Sequence, residues 1–90
     1  MAKANVDPAE LRRFAKHLAQ FNRELEQMMS AMNARTNELN ESWQDQEHRR
    51  FAEELQQTFK TLGRFVQASE EHANFLNKKA AHVEQYLNQR

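Results

Sequence analysis

Ser42-Trp43-Gln44-Asp45, near the middle of the 90-residue chain, separates two long runs of helical periodicity. The one tryptophan of the chain lies in this stretch, while its single Gly and single Pro lie elsewhere. Ser and Asp are favoured helix N-caps, so Ser42 or Asp45 can open a second helix, with Asp45 and Glu47 in or beside its first turn. The helical pattern resumes at once after Asp45, and a short connection places successive helices side by side and antiparallel. The expected fold is therefore all-α: an antiparallel two-helix hairpin with residues 42–45 as its bend and Trp43 as its pin.

Toward the amino end, Asn33, Asn37 and Asn40 have low helix propensity and foreshadow the stop. Before them, Leu11, Phe14, Leu18, Phe21, Leu25, Met28, Met32 and Leu39 recur at steps of three and four with one gap, forming an apolar stripe. Arg35 and Thr36 interrupt it. Arg12, Arg13, Lys16, Arg23, Glu24 and Glu26 make the opposite, solvated face. Asp7-Pro8-Ala9-Glu10 starts the helix: Asp7 caps, Pro8 suits the first helical position, and Glu10 can complete a capping box. The first helix is expected over about 8–41, roughly 50 Å long, preceded by a frayed tail over residues 1–6.

Toward the carboxyl end, Phe51, Leu55, Phe59, Leu62, Val66, Ala73, Leu76, Ala80, Val83 and Leu87 form a second stripe, with a longer step at Ser69. Phe65, Phe75 and Tyr86 stand beside it and broaden it. Arg49–Glu53 and Arg50–Glu54 have the i,i+4 spacing of helix-surface ion pairs. This helix is expected over about 45–88, roughly 65 Å long, within one domain spanning 1–90. Gly63 is out of place in it, since a mid-helix Gly costs about 1 kcal/mol against Ala. It reads either as a tolerated surface residue or as a point of close approach by another helix.

Composition narrows the function. There are 13 basic and 13 acidic residues, interspersed, so no concentrated positive face offers itself to nucleic acid. No apolar run approaches the ~20 residues that span a bilayer, and the balanced charge argues against a helix pair that opens onto membranes. The amino end lacks the apolar core of a cleavable signal peptide. With no cysteine there is no disulfide staple and no Cys-based metal or redox site. His17, His48, His72 and His82 are dispersed, and neither a Glu-x-x-His nor a His-Glu-x-x-His motif occurs. Without a phosphate loop or a nucleophile–base constellation, the chain is read as a non-enzyme with no metal and no cofactor.

The apolar surface asks for a partner. Two helices cover only one side of each other, and burying one Phe or Leu is worth about 1.5–3 kcal/mol. Phe14, Phe21, Met28 and Met32 on the first helix, with Phe51, Phe65 and Phe75 on the second, are the candidate association surface. Two hairpins packed side by side would bury it in a four-helix bundle. A homodimer is the expected form, because no acidic or basic half of the chain seeks its opposite. The other form is a heterodimer with a related hairpin or a larger secreted protein.

At the bend the chain resembles the WXG family of small helical hairpins exported by type VII (ESX-like) secretion systems. Trp43 occupies the Trp of the family's Trp-x-Gly turn, and Phe51 the aromatic that follows several residues later. The resemblance implies a secreted factor or helical targeting partner, cytoplasmic before export without a cleaved signal peptide, with a secretion ATPase as a further partner. Two positions differ. Asp45 stands where the family has Gly, and Asp is tolerated in the left-handed region and caps well. The family's carboxyl-end signal, a Tyr followed four residues later by an acid, has Tyr86 but Arg90 here. The signal is then carried by a partner or by a longer chain, or the protein is used inside the cell. Trp43 reads as a structural plug of the closed end or as part of a docking cleft. The alternative function is a cytoplasmic structural or adaptor coiled coil with no export role.

Overall fold

The computed structural model describes residues 5–89, so residues 1–4 of the expected tail, and Arg90, lie outside the described residues. Two helices, α1 (Pro8–Ser42) and α2 (Gln46–Asn88), pack along each other as an antiparallel hairpin. The result is a rod of 70 × 17 × 13 Å.

Asp7 caps α1 as its sequence suggests: the backbone is extended and the carboxylate accepts from the Ala9 amide at 2.9 Å. Pro8 follows at the start of the helix, where its missing N–H costs nothing. Glu10 does not reach back to close a capping box. Its carboxylate pairs with Arg13, one turn on.

The seam between the helices is a seven-residue repeat. On α2 the buried and half-buried positions, apart from Glu84 at the seam's edge, are His48, Ala52, Leu55, Phe59, Leu62, Val66, Ser69, Ala73, Leu76, Ala80, Val83 and Leu87, alternating steps of four and three. That is the stripe read from the sequence, extended by His48 and Ala52, with Ser69 filling the longer step. Phe51 leaves it for the surface. On α1 the seam runs through Leu11, Ala15, Leu18, Asn22, Leu25, Met29, Thr36 and Asn40, and Trp43 continues it just past the helix end.

The α1 seam corrects the apolar stripe. Leu11, Leu18 and Leu25 belong to both, but their inward companions are Ala15, Asn22 and Met29 instead of Phe14, Phe21 and Met28. Both columns flank the leucines, and the next residue in each decides between them. The Phe column continues to Arg35, whose charge is costly to desolvate in a seam. The Ala column continues to Thr36, whose hydroxyl satisfies itself on the Met32 carbonyl at 2.8 Å. Thr36 therefore carries the seam onward where hydropathy alone saw a break. Small residues also let two long backbones approach, and Ala80, fully buried at 0% exposure, marks such a point of contact.

Candidate functional site

The bend is built without any left-handed residue. α1 closes at Ser42, whose hydroxyl donates to the Leu39 carbonyl at 3.3 Å, while the Trp43 amide donates to the same carbonyl at 3.0 Å. Trp43 is extended (φ −130°, ψ 111°), and so is Asp45 (φ −100°, ψ −175°). Among the described residues none has a positive φ. The N-cap of α2 is thus Asp45 and not Ser42: its carboxylate accepts from the His48 amide at 2.9 Å. That amide, and after it the Trp43 side chain, holds the Asp45 carboxyl below the ordinary aspartate range.

Trp43 lies half-buried against the first turns of α2. Its ring meets the His48 imidazole edge-on at 5.1 Å and the Phe51 ring, tilted, at 5.6 Å. His48 also contacts the Asn40 side-chain oxygen through Nε2, which ties the last turn of α1 to the first turn of α2. Trp43, His48 and Phe51 form one aromatic cap over the closed end. Sequence reasoning treated His48 as a dispersed residue. Its place in the seam and beside Trp43 could have been found from its seven-residue spacing to Leu55.

Along the rod the two flanks of the seam differ in kind. Phe14, Phe21 and Met28 recur every seven residues on α1, and Phe51, Phe65 and Tyr86 stand at multiples of seven on α2. These two columns meet across the seam, where the Phe21 and Phe65 rings pack edge to face with centroids 6.2 Å apart. Phe75 lies on the same side of α2, three residues beyond the column's position 72. All are exposed, from 39% at Phe51 to 65% at Phe75, as are Met32 and Leu39. Every large exposed apolar side chain among the described residues, nine in all, belongs to this side or to the column of leucines that borders it.

The other flank carries none. Its columns are Arg12, Ala19, Glu26 and Asn33 on α1, and Arg49, Gln56, Gly63, Glu70, Asn77 and Glu84 on α2. Here Arg12 and Glu84 join the open ends of the helices with two parallel hydrogen bonds, Nη2 to Oε1 at 2.6 Å and Nε to Oε2 at 3.2 Å. The Arg12 guanidinium lowers the Glu84 carboxyl below the usual glutamate range. Arg12 is thus a cross-helix partner and not only part of a solvated face. Gly63 lies on this flank, and a Cβ added there would meet nothing within 4 Å, so α1 makes no close approach to it.

Asn22 was missed by hydropathy altogether. It is 2% exposed, both polar atoms of its carboxamide are without a hydrogen-bond partner, and Ser69 Oγ in the same seam is likewise unpartnered. Asn22 floors a shallow cleft on the polar flank, with Ala19, Arg23, Glu26, Glu70, Ala73 and Asn74 around it. Among the described residues no group of three His, Asp or Glu side chains is placed to hold a metal, and no helix is long and apolar enough to cross a membrane. A family model described as proteins of 100 residues with WXG matches residues 3–86. No curated protein matches the chain.

Proposed function

The chain belongs to the WXG100 family, and on that premise we propose that it is a non-enzymatic assembly module of a type VII-like secretion system. In this reading one hairpin domain lays its aromatic side on that of a second copy, forming a four-helix bundle. The pair serves as a secreted factor or as the helical targeting partner of a larger secreted protein. The observation that carries the reading is the one-sided placement of the nine large exposed apolar residues, Phe14, Phe21 and Phe65 among them. A patch of that kind on one side of a rod is the mark of an association surface. A face-to-face pair covers it on both partners while leaving the polar flanks in water. The chain's net charge of zero removes the long-range repulsion that would oppose a homodimer.

Asp45 takes the place of the family's turn glycine in this reading. The extended backbone at Asp45 supports it, because a turn with no positive φ has no need of glycine. Trp43 acts first as a plug of the closed end, supported by its contacts with His48 and Phe51, and its half-exposed edge is what a secretion ATPase or partner would touch. Tyr86 is exposed and in this reading is the remnant of a carboxyl-end signal, the complete signal being carried by the larger secreted protein that the pair accompanies.

Sedimentation equilibrium tests the assembly: a dimer at micromolar concentration is expected, and a stable monomer would refute it. Detection in culture medium that depends on a secretion ATPase tests the role. A dimer that stays in the cell whether or not the ATPase is present would instead identify a cytoplasmic adaptor.

A further inference from the structure

Two thioethers stand uncovered on the aromatic side, and we infer that Met28 and Met32 are a modification site: peroxide oxidises them first and thereby weakens association through that side. This rests on the dimer proposed above and adds to it a covalent, reversible control.

Sulfur chemistry in this chain belongs to methionine alone, because there is no cysteine to take up an oxidant first. Met28, Met29 and Met32 fall within two turns of α1. Met28 is seven residues after Phe21, and Met32 is four after Met28, so both stand on the face that carries the aromatic column. Met28 is 60% exposed and Met32 49%. Met29, one residue further round the helix, turns into the seam and is half-buried there. An oxidant in water therefore meets the first two on open surface, while the packing of the two helices shields the third.

The step is a two-electron oxygen transfer. A sulfur lone pair attacks one oxygen of hydrogen peroxide, the O–O bond breaks, an S–O bond forms and water leaves. The thioether is oxidised to the sulfoxide and the peroxide is reduced. The product carries a hydrogen-bond acceptor where the side chain was apolar. In the single hairpin that acceptor lies in water, so the fold is retained. Under a second copy it is taken out of water against phenyl and thioether groups, which is costly. Oxidation also removes the flexible apolar character that lets methionine fit an irregular partner surface. Pairing acts back on the chemistry, since a copy laid over the aromatic side hides both sulfurs and leaves only the separated chains open to attack.

The test treats the whole chain with hydrogen peroxide and locates the sulfoxides by peptide mass spectrometry. Sedimentation equilibrium follows assembly, and circular dichroism follows helix content. Met28 and Met32 should be oxidised ahead of Met29, more slowly as protein concentration is raised through the dimerisation range. The oxidised chain should keep its helix content and show a dimer dissociation constant at least about tenfold weaker. Methionine sulfoxide reductases for both epimers should restore tight pairing. The double variant Met28→Leu, Met32→Leu keeps the apolar surface, so it should dimerise and stay dimeric after the same treatment. An oxidised chain that pairs as tightly as the untreated one overturns the control and leaves the dimer standing. Oxidation of Met29 in step with the other two overturns the assignment of the site. A loss of pairing that persists in the double variant, or that the reductases do not reverse, overturns it by assigning the effect to damage elsewhere. A monomer before any treatment overturns the control together with the dimer beneath it.

Discussion

The inner seam and the outer aromatic side of this hairpin are made from opposite materials. Where the helices touch, the buried residues are all small, medium-sized or polar, with no aromatic or leucine among them: Ala15, Asn22, Thr36, Val66, Ser69, Ala73, Ala80 and Val83. Where the molecule meets water, it shows Phe14, Phe21, Phe65 and Phe75. A chain selected to be a stable lone hairpin would place these the other way, because a buried Phe returns about 1.5–3 kcal/mol and a buried Ala far less. Close approach of two backbones has been favoured inside, and large adaptable area has been kept outside. The unpartnered Asn22 carboxamide sharpens the contrast, since a buried amide without a hydrogen bond costs about 1–3 kcal/mol. Stability of the single hairpin has been given up at the place where it would be easiest to gain.

The contrast breaks most decisively on the outer side. Phe21→Asp with Phe65→Asp should weaken self-association at least about 100-fold, as loss of central aromatic anchors does, with helix content retained. Sedimentation equilibrium checks it, and a collapse of helicity in the variant would mean that the pair holds the hairpin itself together. Next come opposite changes in the seam. Ala80→Leu should destabilise the hairpin by about 1–3 kcal/mol through overpacking, whereas Asn22→Leu should stabilise it by a similar amount by removing an unsatisfied amide. Urea unfolding at fixed protein concentration reads both. If Asn22→Leu is instead destabilising, the carboxamide has a partner in solution.

Two smaller effects belong to the polar flank and the bend. Gly63→Ala should raise stability by about 1 kcal/mol without altering assembly, because the added methyl meets nothing within 4 Å. Weakened assembly would place a second chain on the polar flank and reverse the assignment of faces. Asp45 has its carboxyl lowered by the His48 amide, so its cap is at full strength above the ordinary aspartate value and is lost as pH falls through its own lower one. An NMR titration should show the Asp45 carboxyl protonating below the ordinary aspartate range, with the His48 amide shifting in step. Asp45→Asn should remove that pH dependence while retaining a cap.

Much of this is legible in the amino-acid sequence. The two stripes and the break at Ser42-Trp43-Gln44-Asp45 lead to the hairpin, and Asp7 and Asp45 advertise themselves as caps by residue type alone. The side of α1 that turns inward was not legible. Hydropathy weighs Phe14, Phe21 and Met28 above Ala15, Asn22 and Thr36, yet the smaller residues are the buried ones. A seam between long helices is chosen by which column stays free of charge along its whole length, and Arg35 disqualifies the aromatic one. Ser69 was read as a gap for the same reason. The aromatic cluster at the bend was half legible: Trp43 stood out by rarity, while His48 required the seven-residue count to be carried back past Leu55.

The shape of the rod has a consequence for any measurement of its size. A compact chain of this length would have a radius of gyration of about 12 Å, whereas this one has 20.4 Å. Its length dominates its friction and its scattering, so a single chain will migrate through a porous matrix as a much heavier globule would. A partner laid along the rod adds thickness to the 17 × 13 Å cross-section and almost nothing to the 70 Å length. Mass can therefore double while the radius of gyration hardly moves, and only the cross-sectional radius records the event.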